Sequence, residues 1–167
     1  MDPADKVALV TGGANGIGLA ICHELLQHEV KGVAICDIDG ELGQRRLQEL
    51  TEKYGPGRVI FIQVDVRNYQ QFEEAFQRTI ETFGTLDIVI NNAGILNDVE
   101  WEKEVDINLN GVIRGMFLAF QYMGQNHNKK GGVVVNIASI LGLDPNEVAP
   151  VYSGIKQAVV GLTRAFG

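Results

Sequence analysis

The chain has 167 residues, with 14 Lys and Arg against 21 Asp and Glu, giving a net charge of −7 and a pI near 4.9. That balance excludes an extended nucleic-acid or anionic-membrane surface, because no positive field gathers phosphates from a distance. A hydrophobic fraction of 46% in a chain of this length supports a single soluble domain, residues 1–167, with a sizeable core.

The opening MDPADKVALVTG lacks the positive start and long apolar run of a secretory leader. The longest apolar stretch, GGVVVNIASILGL, is broken by Asn136 and Ser139 and falls short of a membrane span. A cytoplasmic location is the expectation. Cys22 and Cys36 fall on buried faces and are expected as free thiols rather than a disulfide or metal pair. His23, His28 and His127 have no ligand-spaced partners and are expected at the surface, with no metal site.

In chain order, five apolar runs read as strands: 6–12, 32–37, 58–65, 86–92 and 132–139. Their near-continuous hydrophobicity suits parallel strands covered on both faces. Between them, Phe72, Phe76, Ile80 and Phe83 recur at helical spacing, as do Val105, Leu109, Val112, Met116 and Phe120. Strands alternating with helices predict a doubly wound α/β fold with a parallel sheet. Ligands of such sheets bind at the carboxyl ends of the strands. The residues ending the runs, Gly12, Asp37, Asp65, Asn91 and Ser139, are therefore expected to line one sheet edge.

The first run leads into TGGANGIG, residues 11–18, and a helix opening near Ile17. Gly12, Gly16 and Gly18 allow a tight turn that brings backbone amides to a pyrophosphate at the positive end of that helix. Asp37, 19 residues after Gly18, can accept from the ribose hydroxyls of a dinucleotide, while Asp39 reads as a loop or helix-cap residue. A 2′-phosphate would meet like charge at Asp37, and neither Asn15 nor Ile38 offers a cation, so NAD is expected over NADP. Asp65, with Val66 beside it, is placed to bond the adenine amine or to cap the following helix. The NNAG turn, with Asn91, Ala93 and Gly94, leaves room for a cofactor close to backbone.

Tyr152 and Lys156 are four residues apart and share one helix face, with Pro150 suited to that helix's first turn. A phenol of ordinary pKa ~10 must fall by roughly 3 pH units to act as a base near neutrality, at a cost of about 4 kcal/mol. One ammonium roughly 5 Å away, at an effective dielectric of about 20, supplies ~3 kcal/mol. An oxidised nicotinamide, also cationic, would supply the remainder. Ser139 can hydrogen-bond a substrate oxygen beside the tyrosine.

Taken in order, TGGANGIG, Asp37, Asp65, NNAG, DINLNG, Ser139 and YSGIK at 152–156 resemble the short-chain dehydrogenase/reductase family over essentially the whole chain. NNAGILNDVEWEKEVDINLNG and PVYSGIKQAVVG are similar to its branch of hydroxyprostaglandin and insect alcohol dehydrogenases. The resemblance implies one Rossmann domain and hydride transfer between NAD and a secondary alcohol or ketone, a hydroxy-lipid among the candidates. It also implies a catalytic tetrad of Asn108, Ser139, Tyr152 and Lys156, with Asn108 holding a water that links the lysine to solvent. From the residues alone, Asn108 is only a polar position inside a helix.

The family's later strands and substrate-covering helix have no counterpart before Gly167, so the substrate wall is expected to be incomplete. A silent dinucleotide-binding form that pairs with a full-length relative is the alternative expectation. By the same resemblance, Val151, Ile155, Val159, Leu162 and Phe166 form a stripe expected to pack on the Asn108 helix of a second subunit.

Overall fold

The computed structural model describes residues 2–125 and 130–167. The expectation for His127 lies outside them. Five parallel strands, β1 (Val7–Thr11), β2 (Gly32–Asp37), β3 (Val59–Gln63), β4 (Ile88–Asn91) and β5 (Val133–Asn136), form one sheet in the order β3-β2-β1-β4-β5. The strand sequence reverses between β1 and β4, where a doubly wound sheet opens its crevice.

Alternation along β1 divides the core. Val7 and Leu9 face a layer with Phe72, Phe76 and Leu118, whereas Ala8 and Val10 face Cys22, Leu26 and Leu50. The second layer comes from α1 (Gly16–Gln27) and α2 (Gly40–Tyr54); the first from α3 (Tyr69–Phe83) and α5 (Gly111–Met123). The Phe72, Phe76 and Phe83 stripe is buried as its spacing predicts, with Ile80 packed against it. The second stripe holds less well, because Phe120 is 43% exposed and Leu118 and Ala119 are buried in its place.

Local chemistry sets the helix starts. Asn15 accepts from Gly16 N–H, Asp39 from Leu42 N–H and Asn68 from Gln71 N–H. Asp39 is thus the cap the sequence suggests, and Asn68, not Asp65, caps α3.

Helix α4 (Trp101–Val105) runs through a widened π-helical turn, Asp106–Asn110, into α5. Helix α6 (Pro150–Phe166) starts at Pro150 and lies beside α5. Its Val159, Leu162 and Phe166 pack on Val112 and Met116 of the same chain, and the Phe166 ring meets Phe117 and Phe120. Part of the predicted stripe is thus already in contact with α5 of its own chain.

A side-chain ladder crosses the sheet edge. Asn91 donates to Asn136 Oδ1 at 2.8 Å, and Asn136 donates to Thr163 Oγ1 at 2.9 Å. Cys22 and Cys36 are buried and unpaired; burial pushes the Cys22 thiol up to about 12 and Cys36 upward as well. His28 is exposed, but His23 is half-buried, its Nδ1 2.9 Å from the Tyr54 hydroxyl. Among the described residues, no helix is long and apolar enough to cross a membrane.

Candidate active site

A cleft of about 660 Å³ opens at the carboxyl ends of the strands. Its lining brings together Gly12, Asn15, Gly16, Ile17, Asp37, Asp65, Val66, Ala93, Gly94, Ser139, Tyr152 and Lys156, contributed by segments far apart in sequence. A cleft of this size accommodates a cofactor-sized ligand.

The glycine turn forms one end. Gly12 and Gly16 have φ of 63° and 52°, values that side chains with a Cβ disfavour. A Cβ on Gly12 would stand 3.0 Å from Ala93 Cα, whereas one on Gly16 would meet no atom within 4 Å. The second position therefore keeps an open approach to the N-terminus of α1, whose first N–H groups have no intrahelical acceptors. Gly18 does not line the cleft. It is buried, and a Cβ there would lie 2.1 Å from the Gly12 carbonyl oxygen, so it lets the helix seat against the turn.

Asp37 accepts from Ala14 N–H at 3.0 Å and Asp39 N–H at 3.1 Å, which holds its carboxylate between the turn and the cleft. Arg46, unremarked in the sequence, comes from α2 to donate to the Ala14 carbonyl at 3.1 Å and pairs with Glu49 at 2.6 Å. A guanidinium thus stands behind the turn, although it is not part of the cleft lining.

Asp65 lies two residues beyond the end of β3 rather than in it. Arg67 grips its carboxylate at 2.6 Å and, chiefly through that hydrogen bonding, holds it below the usual carboxylate range. Asn91 does not line the cleft: it is buried in β4 and spends its amide on Asn136. Its neighbour Asn92 points to the turn, donating to the carbonyls of Thr11 at 2.9 Å and Gly12 at 3.2 Å. Thr11 Oγ1 in turn accepts from the N–H groups of Asn92 and Ala93, so the two loop ends are fastened together.

At the other end, Ser139 lies three residues past β5. Its Oγ accepts from Leu141 N–H at 3.2 Å in a short 3₁₀ turn, which leaves the hydroxyl proton available. Lys156 is buried; its Nζ donates to the Ile137 carbonyl at 2.7 Å and stands 5.5 Å from the centre of the Tyr152 ring. Burial lowers the Lys156 pKa, opposed by the nearby Glu104 carboxyl.

Asn108 is buried behind the cleft wall, within the π-helical turn. Its side chain accepts from Ile95 N–H at 2.8 Å and donates to the Ile95 carbonyl at 2.6 Å, holding the loop after β4. Widened turns of this kind frequently mark functional positions, but their backbone register is not legible in a helical sequence pattern. Ile38 lines the cleft beside Asp37, as do the apolar Val64, Ile95, Leu96, Ile107, Ile137 and Ala138, which no sequence motif singles out. Their signal was adjacency to the strand ends.

A family model described as "short chain dehydrogenase" matches residues 6–167. The 15-hydroxyprostaglandin dehydrogenase [NAD(+)] of Rattus norvegicus is 42% identical over 160 residues, covering 96% of this chain and 60% of that protein. Alcohol dehydrogenase 1 of Ceratitis cosyra is 32% identical over 168 residues, covering 100% and 64% respectively. Among solved structures, a short chain dehydrogenase/reductase from Burkholderia phymatum in complex with NAD superposes with a TM-score of 0.89 at 26% identity, over 99% of this chain and 60% of that one. The chain spans about 60% of the length of the 15-hydroxyprostaglandin dehydrogenases it matches. The match along 6–167 and the shared sheet establish that this chain belongs to the short-chain dehydrogenase family.

Proposed function

We propose that the chain carries the nucleotide-binding and catalytic residues of an NAD-dependent dehydrogenase that interconverts a secondary alcohol and its ketone. The observation that carries this reading is that Ser139, Tyr152 and Lys156 share one cleft with the glycine turn and Asp37. The N-terminus of α1 would receive the pyrophosphate, Asp37 the adenosine ribose hydroxyls, and Asp65 and Val66 the adenine. NAD is favoured because a 2′-phosphate would face Asp37, while Arg46 is engaged with Glu49 and the Ala14 carbonyl. The named specificity of the rat relative and the NAD-bound Burkholderia neighbour support this choice.

When bound, NAD supplies the hydride acceptor. The protein's own residues do the rest. The Tyr152 phenolate oxygen takes the alcohol proton, and the Ser139 hydroxyl donates to the substrate oxygen. Buried Lys156, fixed by the Ile137 carbonyl, would lower the cost of the phenolate and hold the nicotinamide ribose. Asn108 acts by holding Ile95 and, as the family resemblance implies, would hold a water linking Lys156 to solvent. Leu96 lines the cleft, and Ile140, Leu143 and Val148 between Ser139 and Tyr152 are exposed, which supports an apolar alcohol such as a hydroxy-lipid.

Self-association would use the outer face of α5, where exposed Phe117 and Phe120 border a groove with Tyr69 and Ile113. The two buried, unpaired thiols support a reducing, cytoplasmic setting.

The test is calorimetric NAD binding followed by NADH formation with a panel of secondary alcohols, including a 15-hydroxyprostaglandin. Binding without turnover across the panel would favour a nucleotide-binding module. No binding would remove the proposal.

A further inference from the structure

Glu104 is a charged residue in the exposed-looking run WEKEV, yet it has no solvent-accessible surface. Its Oε1 accepts from Asn97 N–H at 2.9 Å, while Oε2 is buried with no donor facing it. An ionised carboxylate has only acceptors, so an orphaned, dry oxygen costs far more than ordinary burial. The group within hydrogen-bonding reach is another carboxyl, that of Asp98.

Asp98 performs an unusual task. Helix α6 receives no side-chain cap from Ala149, its N-terminal flanking residue. Asp98 reaches across instead, accepting from Val151 N–H at 2.8 Å and Tyr152 N–H at 3.2 Å. Its carboxylate therefore completes the first turn of the tyrosine helix from 54 residues away in sequence. One proton placed on Glu104 Oε2 resolves both peculiarities, since an acid O–H can donate to the Asp98 carboxylate.

We propose that Glu104 is a positioning residue for Tyr152: as a neutral acid it donates its Oε2 proton to Asp98 and so fixes the carboxylate that caps the tyrosine helix. The chain of contact runs from α4 through Asp98 to the backbone of Tyr152. The inference rests on Tyr152 as the reacting residue of the proposed function. Burial raises the Glu104 carboxyl and Asp98 adds to the rise, while the Asn97 N–H and the Lys156 ammonium work against it. The charged groups facing Glu104 are Asp98 and, from α6, Lys156; Asp106 of the π-helical turn is taken up by Arg114 at 3.0 Å.

Three measurements on this chain separate the inference from the catalytic reading. Infrared spectra at neutral pH should show the carbonyl stretch of a protonated buried carboxyl, lost in Glu104→Gln; absence of that band, or its survival in the variant, overturns the assignment. Hydrogen exchange at Val151 and Tyr152 should quicken by roughly tenfold or more in Glu104→Ala, as expected from losing one charge-assisted hydrogen bond, and return toward wild type in Glu104→Gln, whose amide can still donate. If Glu104→Ala does not fold, the wild-type pH series serves. Stability should fall as pH rises from the ordinary carboxyl range through the raised Glu104 pKa, and Glu104→Gln should flatten that fall. A flat wild-type profile counts against the proposal. If alcohol turnover is present, kcat should drop in Glu104→Ala with KM little changed; if turnover is absent altogether, the catalytic reading fails while the infrared and exchange results still decide this one.

Discussion

Lys156 gives its ammonium to the carbonyl oxygen of Ile137 at 2.7 Å, a bond from the tyrosine helix to the residue just past β5. It sets the lysine in place before any ligand arrives. Lys156→Met should therefore cut both nucleotide affinity and alcohol oxidation, the latter by about 10²-fold or more. Tyr152→Phe should abolish oxidation by a similar or larger factor while calorimetric NAD affinity stays within about threefold of wild type, since the ring still packs. Retained turnover in Tyr152→Phe would remove the tyrosine from the base role.

The same burial gives a pH signature. Because the folded-state pKa of Lys156 lies below its ordinary value of 10.5, the unfolded chain binds more protons in the interval between the two. Stability from this group is present above the ordinary value and is lost as pH falls through the lowered one. Chemical denaturation across that alkaline interval should show wild type gaining stability with pH relative to Lys156→Met. Parallel profiles would contradict it.

Asp37→Ala removes the acceptor held by Ala14 and Asp39 N–H, and NAD affinity should weaken by about tenfold or more. Discrimination against NADP should relax, because Arg46 stands behind the turn and could swing from Glu49 toward a 2′-phosphate. The double change Asp37→Ala with Arg46→Ala should lose that gain. Calorimetry with both nucleotides separates the cases; NADP binding equal to NAD in the wild type would overturn the specificity argument.

Gly18→Ala places a methyl 2.1 Å from the Gly12 carbonyl, a backbone atom that cannot turn aside. The expected loss is about 2–3 kcal/mol of stability, together with weakened nucleotide binding. Gly16→Ala, with free space but a positive φ, should cost about 1 kcal/mol. Equal denaturation midpoints for the two variants would show that close approach at Gly18 is not what the turn requires.

Light scattering tests the exposed α5 face. With Phe117 and Phe120 exposed and β5 at the sheet edge, the chain is expected to self-associate, and Phe117→Glu should shift it toward monomer. A compact monomer at all concentrations would count against that surface.

The fold was legible because each apolar run is separated from the next by glycine, proline or charge, and β1, β2 and β4 are buried on both faces; β5, at the sheet edge, departs from this and leaves Val135 exposed. Strand ends were less legible: Val64 and Ile137 are apolar and still donate to the Asp37 and Asn91 carbonyls of the neighbouring strands, yet β3 ends at Gln63 and β5 at Asn136, so Asp65 and Ser139 fall in loops. Asn91 and Asn92 show the finer limit. Successive strand residues face opposite sides, and one residue of register decides which amide meets the turn and which meets Asn136. Asn108, Arg46 and Glu104 were hidden for a different reason: their neighbours arrive from elsewhere in the chain, and a π-helical turn or a carboxyl partner leaves no periodic mark.

The ladder Asn91–Asn136–Thr163 ties β4, the edge strand β5 and α6 into one mechanical unit. Thr163 is seven residues beyond Lys156, two turns along the same rod. Any motion that swings α6 away from the sheet must drag β5 with it or break an amide–hydroxyl rung. The helix that carries Tyr152 is therefore braced against the sheet at its far end as well as at Lys156.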